Sequence, residues 1–225
     1  RPFFAQEGRA IGLQLYMLGE EAAKDLDATF TRLAAIGYRD LELPNLMGKS
    51  PAELRAAADR AGVKFSCIHL GPAQLTGPSA LNFETGTQAT ADALGTLGIT
   101  SAIMPLALLP ANFAPQPGEA FPAALARGFQ ADGVDGWKRT AEALNRKAAS
   151  LSAHGIVLGY HNHNVEFAPL GQTTGWDVLI RETDPNLVLL ELDLGWVAAA
   201  GLDPAALLLR HKGRVRWVHV KDLKA

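Results

Sequence analysis

The segment LDATFTRLAAIGYRDLEL, residues 26–43, holds the unit that recurs along the chain. Leu26, Phe30 and Leu33 are spaced by four and three residues, which is the spacing of one face of an amphipathic helix. Gly37 follows as the expected end of that helix, because glycine adopts the left-handed backbone conformation of a C-cap at no steric cost. Residues 38–43 then have the composition of a short strand. The segment predicts a helix, a glycine cap and a strand in succession.

The same succession is repeated through the chain. Glycine caps are expected at Gly37, Gly62, Gly98, Gly155 and Gly213, and strands after them at 38–43, 63–70, 99–104, 156–161 and 214–221. Two further β-rich runs, residues 11–17 and 187–193, lack a preceding glycine. Helix starts are expected after Ser50 and Asp203, because each is followed by a proline at the first helical position, and Ser50 also has the capping-box spacing to Glu53. The pattern indicates strands that alternate with helices, which is typical of parallel strands joined by right-handed crossovers.

An open doubly wound sheet and a closed barrel both satisfy this alternation. A doubly wound nucleotide-binding sheet needs a glycine-rich phosphate loop after its first strand, whereas Leu18-Gly19-Glu20-Glu21 offers one glycine and two acids. A chain of 225 residues with 48% apolar content has the usual size of one α/β barrel. We therefore expect a (β/α) barrel and a single domain over residues 1–225.

Composition limits the partners of this chain. Its 21 basic and 23 acidic side chains nearly balance, and no stretch concentrates lysine and arginine in the way a nucleic-acid-binding surface does. No apolar run reaches the roughly 18 to 20 residues that a membrane-spanning helix needs. Neither nucleic acid nor a membrane is expected as a partner. The composition is compatible with a homodimer. The single cysteine, Cys67, is expected in a buried strand.

Two segments stand outside the repeated pattern. Residues 105–137 are rich in proline, phenylalanine and glycine, and they predict a long loop that shapes the mouth of a site or acts as its lid. Residues 2–6, Pro-Phe-Phe-Ala-Gln, follow an initial Arg1 rather than a methionine. They fit the remnant of a removed export signal or an arbitrary boundary, and we expect an exported, periplasmic protein rather than a cytoplasmic one.

Five predicted strands carry, at or within two residues of their carboxyl end, a side chain that can bind a metal or move a proton. These residues are Glu42, His69, His161, Asp193 and His219. Barrel enzymes build their sites at the carboxyl ends of the strands, so we expect the five to form one polar site. Imidazole and carboxylate together suit Mn²⁺, Zn²⁺, Co²⁺ or Mg²⁺. Each residue alone also fits a hydrogen-bonded core group or an ion pair, and it is their joint placement that favours a site.

Further polar and aromatic residues lie near these strand ends. Glu166 and Lys221 are candidate proton-transfer or substrate groups, the lysine as a cation for an anionic or hydroxylated ligand. His163 is a candidate substrate contact. Trp196 offers a flat apolar wall for a sugar ring, although a core tryptophan fits its position as well. Glu191 is assigned to a polar layer lower in the barrel.

Four stretches carry recognisable motifs. They are GYRDLELP (37–44), YHNHNVEF (160–167), LELDLGW (190–196) and HVKD (219–222). Together they resemble the sugar phosphate isomerase/epimerase family of the xylose isomerase-like barrel superfamily, and the resemblance extends from Ile11 to Asp222. It implies a (β/α)8 TIM barrel in which Asp193 and His219 are the metal ligands of strands six and seven. Many members are similar to ketose 3-epimerases, in which a divalent metal holds adjacent substrate oxygens while carboxylates on strands five and eight move the proton.

The chain departs from that family in two places. His161 stands where the epimerases carry a strand-five glutamate, so we expect it as a substituted metal ligand. The chain ends at Ala225, after the seventh predicted strand. The eighth strand and its glutamate ligand are therefore expected to be missing from this chain.

The leading hypothesis is a metal-dependent isomerase or epimerase that removes a C–H proton next to a carbonyl of a sugar or sugar derivative. Its candidate catalytic residues are Glu42, His69, Glu166 and Lys221. Because His161 replaces a carboxylate, the alternative is a lyase or hydratase that acts on a keto-sugar or keto-glycoside at the same metal site. A DNA-repair enzyme like endonuclease IV and a non-catalytic sugar-binding barrel are weaker hypotheses, the first because the chain has no basic stripe.

Overall fold

A computed structural model of the chain describes residues 11–222. The segment on which the expectation of export rests, residues 2–6, lies outside the described residues. The chain divides into two compact units, residues 1–102 and 103–225. The expectation of a single domain stays a prediction. Within residues 11–222, no helix is both long enough and apolar enough to cross a membrane.

The first unit contains three parallel strands and five helices in its described part. The strands are β1 (Gly12–Gln14), β2 (Asp40–Leu43) and β3 (Lys64–His69), and the helices are α1 (Gly19–Lys24), α2 (Leu26–Ile36), α3 (Pro51–Ala61), α4 (Ala73–Thr76) and α5 (Thr87–Leu97). β1 and β3 both pair with β2 in parallel. The ring of Phe30 on α2 packs edge-on against Phe65 on β3, at 5.9 Å between centroids. A fourth strand, β4 (Ser101–Met104), contains the boundary between the units.

The second unit is also built from parallel strands and helices. Its strands are β5 (Val157–His161), β6 (Pro169–Leu170), β7 (Thr173–Thr174), β8 (Val188–Asp193) and β9 (Val215–His219), and its helices are α6 (Phe121–Ser152), α7 (Gly175–Glu182), α8 (Leu194–Ala199) and α9 (Pro204–Arg210). β5 and β9 both pair with β8 in parallel, whereas β6 and β7 form a short antiparallel pair. The buried side chains of Trp176, Leu190, Leu192, Val197 and Leu207 form a core cluster against one face of β8.

Most of the expected elements are present, with shorter bounds. Each of the seven predicted strands overlaps an observed strand of β1–β5, β8 and β9. Left-handed glycines occur at Gly37, Gly62, Gly98 and Gly155, where helix caps are predicted. Phe30 and Leu33 are buried on α2, as the amphipathic spacing requires. Cys67 is fully buried on β3.

Three local predictions are wrong. The first strand ends at Gln14, because the Gln14 side chain accepts a hydrogen bond from the Tyr16 backbone and residues 15–18 form a 3-10 turn. Gly213 is not a helix cap, since α9 ends at Arg210 and His211 occupies the cap position. Residues 105–137 are not one loop, because α6 begins at Phe121. That helix is interrupted at Gly133, whose φ of 62° and ψ of −156° are not helical.

The start of α3 has the full capping box that its sequence predicts. The Glu53 backbone N–H donates to Ser50 Oγ at 3.2 Å, and the Ser50 backbone N–H donates to Glu53 Oε2 at 2.7 Å. Replacing Ser50 with alanine is expected to lower the free energy of unfolding by about 1 kcal/mol, because the Glu53 backbone N–H loses its acceptor. Urea unfolding checks this against Ser79→Ala, the same change at an exposed turn residue. An unchanged unfolding midpoint for Ser50→Ala would show that the box contributes nothing.

Candidate functional site

The carboxyl ends of β5, β8 and β9 bring polar side chains together in the second unit. Parallel pairing places His161 on β5 opposite Glu191 on β8, and Asp193 on β8 opposite His219 on β9. Glu191 and Asp193 point to the same face of β8, because side chains two residues apart on a strand share a face. The strand ladder thus aligns two imidazoles with two carboxylates.

The ring nitrogens and carboxylate oxygens of these four side chains lie 2.9 to 3.8 Å apart. His161 Nδ1 lies 2.9 Å from Glu191 Oε2, and His161 Nε2 lies 3.8 Å from Asp193 Oδ2. The second imidazole faces the same two carboxylates, since His219 Nε2 is 3.5 Å from Glu191 Oε2 and His219 Nδ1 is 3.6 Å from Asp193 Oδ2. The two imidazole rings are 4.7 Å apart between centroids. Both carboxylates are fully buried. Each imidazole therefore lies between the same pair of carboxylates.

Asp193 stays ionised in this setting. Burial alone would raise its pKa, but hydrogen bonds to His219, Lys221 and the Trp196 backbone N–H outweigh burial and lower the pKa to about 2. Lys221 Nζ is 2.6 Å from Asp193 Oδ2, and the Trp196 N–H donates to Asp193 Oδ1 at 2.9 Å. At neutral pH the buried carboxylate consequently carries a full negative charge toward the two histidines.

Glu191 is the residue whose place the sequence did not predict. Its carboxylate contacts both His161 and His219 rather than filling a separate polar layer below them. The signal that could have found it is its spacing, because Glu191 precedes Asp193 by two residues and therefore shares its strand face.

The four side chains match the ligands that a divalent metal ion takes. One candidate donor atom from each of His161, Glu191 and His219 lies within 4.8 Å of the others. Asp193 adds an ionised carboxylate that faces both rings. Imidazole nitrogen and carboxylate oxygen are common ligands of Zn²⁺, Co²⁺ and Mn²⁺ in proteins. All four side chains are of a suitable donor type, and His161, Glu191 and His219 also meet the spacing that a single ion requires.

Glu166 lies in the 3-10 turn Val165–Phe167 of the loop that follows β5, and it is fully buried. Its Oε1 accepts a hydrogen bond from Tyr160 Oη at 2.7 Å, and its Oε2 accepts from the His163 backbone N–H at 2.8 Å. Burial raises the pKa of Glu166 to about 7, although these hydrogen bonds lower it in part. Burial also raises the pKa of Tyr160 well above 10, so its hydroxyl remains a donor. Both oxygens of Glu166 are thus engaged in holding the loop.

His163, Trp196 and Lys221 form a small platform beside the histidines. The rings of His163 and Trp196 are 5.4 Å apart between centroids, and Lys221 Nζ lies 5.3 Å from the centre of the Trp196 ring. The His163 ring is also 5.0 Å from that of His161. Within residues 11–222, the buried indole nitrogen of Trp196 has no hydrogen-bond partner. The platform offers an aromatic face, a cation and an N–H donor.

Glu42 and His69 lie in the first unit, at the ends of β2 and β3. His69 Nε2 is 2.7 Å from Glu42 Oε1, and both side chains are buried. The contact places a buried carboxylate beside a buried imidazole within the first unit. That they belong to one site with the histidines of the second unit stays a prediction.

Comparisons with known proteins concern both sequence and fold. Residues 23–225 match the family model described as xylose isomerase-like TIM barrel. The chain is 28% identical over 201 residues to inosose dehydratase of Geobacillus kaustophilus, an alignment that covers 88% of this chain and 62% of that protein. It is 38% identical over 89 residues to inosose dehydratase of Clostridium perfringens, which covers 39% of this chain and 29% of that protein. The chain thus spans less than two thirds of these curated relatives.

Solved structures resemble the chain over most of its length. The crystal structure of a sugar phosphate isomerase/epimerase from Parabacteroides distasonis superposes with a TM-score of 0.75 at 25% identity, over 95% of this chain and 79% of that one. A 3-keto-D-glucoside 4-epimerase from E. coli superposes with a TM-score of 0.61 at 15% identity, over 94% of this chain and 78% of that one. At 15% identity the second likeness concerns the fold alone.

Proposed function

The chain belongs to the xylose isomerase-like TIM barrel family, and from that premise we propose that it is a metal-dependent isomerase or epimerase of a carbohydrate. The barrel fold and the family expected from the sequence are confirmed by the match over residues 23–225. The proposed reaction removes the proton from a carbon next to a carbonyl group.

One observation carries the proposal: two imidazoles and two carboxylates converge where β5, β8 and β9 end. The proposed ligands are His161, Glu191, Asp193 and His219, a set that adds Glu191 to the three expected from the sequence. A bound divalent ion would supply Lewis-acid polarisation of a carbonyl, which makes the neighbouring C–H more acidic. Because two of the four ligands are imidazoles, Mn²⁺, Co²⁺ and Zn²⁺ are favoured over Mg²⁺.

The other residues of the site bind and orient the substrate in this proposal. Trp196 offers its ring face to a sugar ring and its indole N–H to a hydroxyl. Lys221 keeps Asp193 ionised. Because its side chain is 41% exposed, its ammonium group also reaches a substrate oxygen. His163 packs against Trp196 and completes the platform. We propose that Glu166 holds this loop and does not itself transfer a proton, because both of its oxygens are already bonded.

Proton transfer is assigned to Glu42 and His69. The 2.7 Å contact between the buried carboxylate and imidazole suits a pair that shares one proton and passes it to or from a substrate. Return of the proton to the opposite face of the carbon gives an epimer, and return to the neighbouring carbon gives an isomer.

A second candidate, a dehydratase, is favoured by two observations. The relative aligned over 88% of this chain is an inosose dehydratase, which makes loss of water the alternative outcome of the same deprotonation. The presence of His161 where ketose epimerases carry a glutamate supports that alternative, because one proton-transferring carboxylate is replaced by an imidazole.

Incubation in D₂O tests the proposal and separates the two outcomes. We expect Mn²⁺-loaded protein to incorporate deuterium next to the carbonyl of at least one member of a panel of ketoses, keto-glycosides and an inosose, detected by NMR. A deuterated epimer or isomer supports the leading proposal, whereas an unsaturated product with loss of water supports the dehydratase. Binding of a sugar without any exchange or elimination would contradict both and leave a sugar-binding protein.

A further inference from the structure

Asn162 follows the last paired residue of β5 and is fully buried. Regular pairing between β5 and β8 ends with His161 opposite Glu191. Beyond that point the Asn162 side chain takes over the pairing, because its Oδ1 accepts from the Asp193 backbone N–H at 2.9 Å and its Nδ2 donates to the Asp193 carbonyl at 3.4 Å. A carboxamide has the same donor and acceptor as a peptide group, so Asn162 bonds Asp193 as a further strand residue would.

Asn162 hydrogen-bonds the backbone of Asp193, and that backbone determines where the Asp193 carboxylate points. Asp193 has φ −87° and ψ 105° and caps α8, with Oδ1 accepting from the Trp196 N–H. This leaves Oδ2 directed at Lys221, His219 and His161, at 2.6, 3.6 and 3.8 Å. A rotation of the Asp193 peptide would turn Oδ2 away from both imidazoles. Two hydrogen bonds from one buried side chain prevent that rotation.

We infer that Asn162 is a positioning residue, which acts through the Asp193 backbone to hold that carboxylate against His161 and His219. The inference rests on the proposed metal-dependent function. Groups that orient metal ligands typically contribute 10- to 100-fold to metal affinity. Asn162 hydrogen-bonds the Asp193 backbone and the His163 carbonyl, and none of the described contacts joins it to an imidazole ring, so Asp193 is the proposed ligand on which it acts directly.

Asn162→Ala tests the inference in the full chain. We expect the dissociation constant for Mn²⁺, measured by calorimetry with the metal alone, to rise about 10- to 100-fold. In the metal-free protein, hydrogen exchange of the Asp193 amide, followed by NMR, is expected to become faster because the amide loses its acceptor. The matched control is Asn164→Ala, the same change at an exposed residue of the same loop whose side chain caps nothing, and it should alter neither readout.

The outcomes separate this inference from the proposed function. If Asn162→Ala binds Mn²⁺ as tightly as the unaltered protein, the positioning role is wrong while the metal site stands. If the unaltered protein binds no Mn²⁺, the proposed function fails and the inference fails with it. Should Asn162→Ala not fold, Asn162→Ser replaces it with the same expectation, because one hydroxyl cannot bond the Asp193 N–H and carbonyl in the geometry of an amide.

Discussion

Replacing Asp193 with asparagine is expected to lower kcat/KM by at least about 10³-fold, which corresponds to roughly 4 kcal/mol of transition-state stabilisation. Asparagine has the same shape and keeps the acceptor for the Trp196 N–H, so α8 stays capped. What it removes is the ionised oxygen that faces Lys221, His219 and His161. Mn²⁺ affinity should fall together with activity, because one proposed ligand loses its charge.

Steady-state kinetics with the substrate found by deuterium exchange measure this effect. Asp135→Asn is the matched control, since it makes the same change at an exposed carboxylate outside the site. Near-UV circular dichroism establishes that both variants are folded. Wild-type kcat/KM in Asp193→Asn would remove this carboxylate from the proposed mechanism.

Stability is expected to fall as the pH rises from about 4.5 to 7, because of Glu166. Its pKa is raised by burial to about 7 in the folded protein, against an ordinary value of 4.5. Within this window the folded state holds a proton that the unfolded chain has released, so deprotonation favours unfolding. The stabilisation by protonated Glu166 is complete below the pKa of 4.5 in the unfolded chain, and it is lost as the pH rises through the pKa of about 7 in the folded protein. The total loss attributable to this group is roughly 3 kcal/mol.

The variant Glu166→Gln isolates this contribution, since glutamine does not titrate. Urea unfolding at pH 5, 6, 7 and 8 should show the unaltered protein losing stability relative to Glu166→Gln as the pH rises. Glu20→Gln, at an exposed position on α1, should follow the unaltered protein at every pH. Parallel stability profiles for the unaltered protein and Glu166→Gln would mean that Glu166 titrates at an ordinary pKa.

Short sequence patterns predicted much of the fold because each reflects interactions between residues that are close together in the chain. The Ser50 capping box and the left-handed caps at Gly37, Gly62 and Gly98 each depend on a few neighbouring residues. The start of α6 was missed for the opposite reason, since its glycines lower helix propensity and tight packing explains Gly128, a contact that the sequence does not show. At Gly128, for example, an added Cβ would lie 3.0 Å from the Phe113 ring.

The sequence predicted the site residues at the ends of the strands, but it did not predict the contacts of Glu191 and Asn162. His161, Asp193 and His219 close β5, β8 and β9, and parallel strands bring their carboxyl ends to one edge. The two-residue spacing from Asp193 indicates which face of β8 Glu191 occupies, but its contact with His219 depends on pairing register, and the β8–β9 pairing shifts between Leu190 and Glu191. Hydrophobic alternation does not predict such a shift. The hydrogen bond between the Asn162 side chain and the Asp193 backbone joins residues that are 31 positions apart, so the sequence does not predict it either.

A crystal structure of the Mn²⁺-loaded protein, with anomalous data collected near the manganese edge, shows directly whether a metal ion lies between the four proposed ligands. We expect one strong anomalous peak roughly 2.0 to 2.4 Å from donor atoms of His161, Glu191, Asp193 and His219. The peak should be absent from crystals of Asp193→Asn grown under the same conditions. A peak bound by other residues, or none between these four side chains at saturating Mn²⁺, would contradict the account.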